Sequence, residues 1–268
     1  MQRREFLAAS AAVAFGAMAS NLKSAPSEAP AHRQLFELRT YHFSSAEKQM
    51  AFEQFLQHAA VPAFNRAGIE PVGVFKMLAK DNPDMKLDAD PMQLWVLLPH
   101  NSFESVVTLE ARLAEDHAFQ TAGATVLRDS RQNMAFTRFE SDLLLAMEGA
   151  PHVEVPTKSE SRVFELRTYE SRNEERARNK LEMFNGGEFA IFKKAGMPGI
   201  FYGGAIIGQN LPQLTYMVVH ENMDDSKKNW QAFFGHPDWK KLSSNTGYKD
   251  NVSKVIDQFL RPAGGSQI

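Results

Sequence analysis

An α+β fold made of two like halves is what this sequence predicts, and three observations carry it. The hexapeptide Phe36-Glu37-Leu38-Arg39-Thr40-Tyr41 recurs letter for letter as Phe164-Glu165-Leu166-Arg167-Thr168-Tyr169, an offset of 128. The same offset carries Phe64 onto Phe192 and Ala67-Gly68 onto Ala195-Gly196, and a later offset of 120 carries Leu94, Val96, His100 and Phe119 onto Leu214, Tyr216, His220 and Trp239. In each half the hydrophobic periodicity reads β-α-β-β-α-β. That order is a ferredoxin-like plait, an antiparallel four-stranded sheet with helices on one face.

The elements follow in order. Residues 35–43 and 163–170 alternate apolar and polar and are rich in Phe, Thr and Tyr, as half-buried strands. Residues 45–67 place Phe52, Phe55, Leu56 and Ala59 at helical spacing, then Phe64, with a kink or restart at Pro62. Asn185-Gly186-Gly187 interrupts the second copy's helix near the same place, and Gly68 and Gly196 close both helices. Two strands follow in each copy, 71–79 with 92–99 and 199–207 with 213–220. The change of offset falls in the turn-forming stretch Asp81–Pro91. Second helices are predicted over 102–121 and 224–243, capped by Asn101 or Ser102 and by Asn222 or Asp224, and last strands over 134–141 and 253–260. Gly203-Gly204 inside a strand marks a bulge or a close sheet contact.

The predicted organisation is therefore a first plait over 35–145, a linker over 146–161 containing Pro151 and Pro156, and a second plait over 162–262. A lone plait leaves one sheet face bare, and two copies in one chain can press those faces together. The expected architecture is two plaits packed sheet to sheet as one intrachain barrel.

The residues before the first plait read as an address. Met1-Gln2-Arg3-Arg4-Glu5-Phe6-Leu7, an Ala-rich run and the small-x-small site Ala17-Met18-Ala19 make a signal over 1–19 of twin-arginine type, with an ordinary secretory signal as the other reading. Its apolar stretch, Phe6 to Met18, is shorter than the roughly 20 residues a bilayer needs, so no stable membrane anchor is expected. Residues 20–34 read as a disordered spacer, and the chain as exported, periplasmic or extracytoplasmic.

Composition narrows the chemistry. With no Cys, the chain has no disulfide, thiolate metal site, iron–sulfur cluster or cysteine nucleophile, which suits a protein folded before export. Lys+Arg 30 against Asp+Glu 32 gives no electrostatic reason to expect a nucleic-acid partner. The eight His form no zinc-binding spacing, and neither nucleophile-elbow nor phosphate-loop motifs occur. Asp81, Asp84, Asp88 and Asp90 lack the Gly and Glu of a calcium loop and read as a solvated loop. No metal site is predicted.

Along the hexapeptide, Phe36, Leu38 and Thr40 share one face while Glu37, Arg39 and Tyr41 share the other. The apolar set is expected beneath the helices. Glu37, Arg39 and Tyr41, with Glu165, Arg167 and Tyr169, are then expected in the space between the sheets. Two readings stay open. Glu37 and Glu165 can pair with the arginines as a structural ion-pair network. Alternatively, Arg39 or Arg167 clamps an anion or carbonyl, with Tyr41 or Tyr169 donating a hydrogen bond. His100 and His220 stand at equivalent strand ends, as a base, a haem ligand or a turn residue bonded to local backbone.

Tandem plaits opening on Phe-Glu-Leu-Arg-Thr-Tyr, each with a Gly-ended first helix and a late aromatic (Phe119, Trp239), resemble the NIPSNAP family over residues 35–261. That family belongs to the dimeric α/β-barrel superfamily, and the resemblance implies ligand pockets between the sheets. It also implies oxygenase, isomerase or decarboxylation-type chemistry if the chain is an enzyme, although the family's activity is undefined. The expected role is binding of a small organic molecule between the sheets. A protein-interaction module and a haem-binding barrel are the alternatives. No cofactor is predicted, haem is left open, and a protein partner or homo-oligomer is compatible with the reading.

Overall fold

Each copy of the hexapeptide lies on an inner strand of a four-stranded half-sheet. The computed structural model describes residues 32–268, so the predicted export signal lies outside the described residues. The first copy runs β1 (Leu35–His42), α1 (Ala46–Phe55), α2 (Val61–Arg66), β2 (Gly73–Met77), β3 (Gln93–His100), α3 (Phe103–Glu115), α4 (His117–Ala122), α5 (Ala124–Leu127) and β4 (Arg138–Ala146). The second runs β5 (Val163–Glu170), α6 (Glu174–Met183), α7 (Phe189–Lys194), β6 (Gly199–Ile207), β7 (Gln213–His220), α8 (Met223–Gly235), α9 (Pro237–Ser243) and β8 (Lys254–Pro262). All strand pairs are antiparallel, and the eight close into one barrel in the order β1-β3-β2-β8-β5-β7-β6-β4. The plaits meet at two seams, Met77 opposite Leu260 and Leu145 opposite Gly204. No helix among the described residues is long and apolar enough to cross a membrane.

The first helix of each plait is built as its sequence suggests. Ser45 and Asn173 cap α1 and α6 by accepting from the backbone N–H three residues on. Wider π-helical turns, Leu56–Ala60 and Phe184–Glu188, separate the two halves of each helix, and Pro62 sits in the first turn of α2. Gly68 and Gly196 end the helices with φ of 75° and 83°, where other residues would be strained.

The second helices depart from expectation. Each predicted single helix is two, because Asp116 and His236 take extended backbone and cap a new helix, accepting from Phe119 N (2.9 Å) and Asp238 N (3.1 Å). The strand expected at 134–141 runs instead over Arg138–Ala146, its span set by pairing along the whole of β1. Gln34, placed in the spacer by sequence, is buried and takes its N–H to Pro151 O at 2.9 Å. Asp81 is buried as well, bonded at 2.7 Å to Arg261 across the seam, and Asp90 accepts from Ala79 N at 2.7 Å, so the base of this loop is built into the fold, while Asp84, Asp88 and Asp90 are exposed as expected. Gly203 marks a close contact, since a Cβ there would lie 2.8 Å from Leu144 Cβ.

The sheet edges beside the seams are closed by chain that sequence left unassigned. The linker pairs with β6 through Met147 N to Tyr202 O (2.9 Å) and Glu154 N to Ile200 O (2.8 Å). Residues 263–268 do the same for β2, through Ala263 N to Val74 O and Gln267 N to Val72 O, both 2.8 Å. Each segment satisfies backbone groups that would otherwise stand as an exposed edge.

The orientation of the hexapeptide reverses expectation. Phe36 and Leu38 point into the barrel, where they meet Trp95, Leu97, Phe164 and Leu166 in one buried apolar cluster. Rings from opposite plaits touch there, Phe75 with Phe164 at 4.9 Å and Phe36 with Phe201 at 5.3 Å between centroids. The space between the sheets is therefore packed by side chains, and the expectation of a ligand there is overturned. Glu37, Arg39 and Tyr41 face outward, beneath their own helices. The physical reason is supply of partners. The barrel's apolar middle offers nothing to a charge, whereas the helix side brings His, Ser and Trp within reach.

Candidate functional site

Outward-facing positions on β1 and β3 place Glu37 and His100 on the same surface. The Glu37 carboxylate accepts from Arg39 Nε (2.7 Å) and Nη2 (2.9 Å), from Ser141 Oγ (2.8 Å), and lies 3.3 Å from His100 Nε2. Burial pushes this carboxyl up, but the bonds from His100, Arg39 and Ser141 win and bring it down to about 2. Burial likewise opposes the Arg39 charge, and Tyr41 and Glu37 beside it raise its pKa above the ordinary value. Arg39 is thus a fixed cation held by a fixed anion. The Tyr41 phenol is pushed up by burial, with Arg39 partly countering.

The structural ion pair is therefore present, and a cavity lies against it. About 470 Å³ of space opens between the sheet and the helices of the first plait, within the range that holds a small ligand. Arg39 and Tyr41 form its polar wall, and Phe52, Leu56, Ala60 and Phe64 form its apolar wall. Glu110 and Asp129 also line it, Glu110 with 82% of its side chain exposed and 3.8 Å from Arg39 Nη2. Phe136 packs edge-on to Tyr41 at 5.4 Å, and Phe139 stacks on the same ring at 4.9 Å.

The second plait repeats the network and fills the space. Glu165 meets His220 Nε2 at 2.9 Å and accepts from Arg167 Nη1 at 2.6 Å and Trp230 Nε1 at 2.8 Å. Tyr169 accepts from Arg167 Nε at 3.3 Å, and its hydroxyl lies 2.8 Å from that of Tyr216. Lys180 pairs with Glu188 at 2.9 Å, its ammonium 4.7 Å from the centre of the Phe184 ring. Across the repeat, Val96 becomes Tyr216, Glu110 becomes Trp230, Phe52 becomes Lys180 and Ala60 becomes Glu188. Four exchanges thus turn a lined cavity into a packed one.

A family model, NIPSNAP, matches residues 164–267. The second half of the chain is thus similar to a NIPSNAP domain over nearly its whole length. A search of curated proteins found no match. Among solved structures, a proposed monooxygenase of Fusobacterium nucleatum is 9% identical and superposes with a TM-score of 0.56, covering 87% of this chain and 94% of that one. A proposed monooxygenase of Lactobacillus acidophilus is 13% identical, TM-score 0.55, covering 88% and 98%. A NIPSNAP-like domain protein of Burkholderia xenovorans is 21% identical over 41% of this chain and 91% of its own, TM-score 0.36. The first two show the fold, an eight-stranded α/β barrel with helices outside.

The structure brings all eight residues singled out by sequence into two matching clusters, one in each half, and the first half's cluster borders the cavity of about 470 Å³. The histidines are neither turn residues nor available to haem iron. His100 Nδ1 lies 3.0 Å from Ser105 Oγ and His220 Nδ1 lies 3.1 Å from Asn229 Nδ2, so with the glutamates both ring nitrogens of each are engaged. These residues do not fit a haem ligand set. Sequence reasoning missed the cavity's helix-side wall and the fillers of the second plait. The offset alone could have exposed them, because it sets Phe52 and Ala60 against Lys180 and Glu188.

Proposed function

We propose that the chain is an exported binding protein for a small, largely aromatic organic molecule. Arg39 and Tyr41 hold an oxygen of that molecule, and the sheet–helix cavity of the first plait holds its rings. The observation that carries this reading is the difference between the two halves. The same framework is filled by its own side chains in the second plait and left open in the first plait, against the same Arg–Tyr pair. Apolar walls supply affinity and the few polar atoms supply orientation. The superposed structures described as proposed monooxygenases share the architecture and are compatible with a small-molecule pocket. Export rests on Arg3-Arg4 and the apolar run behind them.

The test is mass spectrometry of organic molecules carried by the purified full chain, set beside Leu56→Trp, which fills the cavity. An aromatic compound present in the native chain and lost in the variant, with melting still cooperative, is the expected result. Equal carriage by both would overturn the assignment of the site. For export, Arg3→Lys with Arg4→Lys should leave the chain inside the cell, and unchanged secretion would remove that part of the proposal.

A further inference from the structure

We infer that the cavity takes a phenol, one equivalent per chain, with the phenolic hydroxyl on the Tyr41 oxygen. This rests on the binding reading above and names its ligand.

The second plait carries the argument because it already holds such a group. Tyr216 is fully buried, its ring centre 5.2 Å from Phe184 and 5.5 Å from Phe192. Its hydroxyl meets Tyr169, which in turn accepts from Arg167. The repeat maps Phe184 to Leu56, Phe192 to Phe64, Tyr169 to Tyr41 and Arg167 to Arg39, and all four of these line the cavity. Val96 replaces Tyr216 at the position opposite the hexapeptide arginine. What the first plait lacks is a phenol, and what it keeps is the wall that surrounds one. The Tyr41 hydroxyl lies beside Arg39 and has no hydrogen bond to any other described residue, which leaves it free to meet a ligand hydroxyl.

Charge sharpens the class. Arg39 is already neutralised by Glu37 through two bonds, and Glu110 and Asp129 add negative charge to the lining. A carboxylate entering there meets more anion than cation, whereas a neutral phenol donates or accepts at Tyr41 without that repulsion. The cavities described in the second half, about 410, 440 and 520 Å³, are not lined by Arg167 or Tyr169, and Tyr216 already meets that pair, so one equivalent is expected.

p-Cresol, the side chain of tyrosine, is the direct probe, with toluene and p-toluate as controls in calorimetric or ligand-observed NMR titrations of the full chain. One equivalent of p-cresol should bind at least tenfold more tightly than either control, since a site that bonds a hydroxyl rejects analogues lacking it. Tyr41→Phe should erase that advantage, and Val96→Tyr should abolish binding, with Leu56→Phe as a second filling variant if the first fails to melt cooperatively. Equal binding of toluene and p-cresol, both lost on filling, would refute the phenol and leave the binding site standing. Two equivalents, or indifference to Tyr41→Phe, would also refute it. Binding of none of the three would remove the site and the phenol together.

Discussion

Val96 and Tyr216 occupy one register position in the two copies, each opposite the arginine of the repeated hexapeptide, Arg39 and Arg167. The first is a short buried side chain; the second is a fully buried ring whose hydroxyl meets Tyr169. Tyr216→Val should therefore remove one of the four side chains that fill this region of the second plait. Losing a buried aromatic ring and its bond to Tyr169 should cost about 3 kcal/mol, read as a lower midpoint in urea. A cost below about 1 kcal/mol would mean that the surrounding Phe184 and Phe192 collapse into the gap.

Glu37 ties acid stability to the site. Its folded pKa of about 2 lies below the ordinary 4.5, so its contribution is fully present above pH 4.5 and is lost as pH falls toward 2. A shift of that size corresponds to about 3 kcal/mol. Glu37→Gln should be destabilised by about 3–5 kcal/mol at pH 7, where it leaves Arg39 without its anion. Urea unfolding at pH 7, 4 and 2.5 should show the gap to the native chain closing as Glu37 protonates. A gap constant with pH would show that the cost lies in packing.

Lys180 and Glu188 replace the apolar pair Phe52 and Ala60 and are both nearly buried. Burial raises the Glu188 pKa, with Lys180 opposing, so the pair is held together against desolvation. Removing one partner strands the other. Lys180→Met or Glu188→Ala alone should each cost about 3–5 kcal/mol, while the double variant should cost much less than their sum. Additive losses in a double-mutant cycle would show that the two charges do not depend on each other.

The duplication, the strand order and the barrel were legible because a repeated hexapeptide and its offsets are a one-dimensional signal. The direction in which that hexapeptide faces was not. Alternation separates Phe36 and Leu38 from Glu37 and Arg39 but does not say which set is inner. The deciding residues stand elsewhere. His100, reached along β3 with Leu98 and Val96 on its own face, and Lys180 and Glu188 on α6 and the π-helical turn after it, put polar partners on the helix side. Only a three-dimensional pairing connects them to Glu37 and Glu165. The break at Asp116 was hidden for a similar reason, since a capping side chain inside an otherwise periodic stretch reads like any exposed polar residue, whereas His236-Pro237-Asp238 reads as a turn feeding the last part of a helix and is one.

Asp257 gives the second half a pH response opposite in sign to that of Glu37. It stands where the first plait has Ser141, and Arg167 Nη1 serves both it (2.5 Å) and Glu165 (2.6 Å), one cation between two carboxylates. Burial, with the Glu165 charge adding, pushes Asp257 up from 3.8 to about 7. A raised carboxyl pKa means the folded state holds a proton that the unfolded chain releases, so this group's contribution falls as pH rises from about 4 to about 7. Asp257→Asn keeps the shape of the protonated acid and removes the charge. Relative to the native chain it should be near neutral in stability at pH 5 and gain progressively toward pH 8. With 39% of the Asp257 side chain exposed, solvent screening keeps that gain small. Thermal melts of both proteins across this range would decide it: a variant that loses ground as pH rises would show Asp257 to be a needed partner of Arg167 rather than a surplus carboxylate.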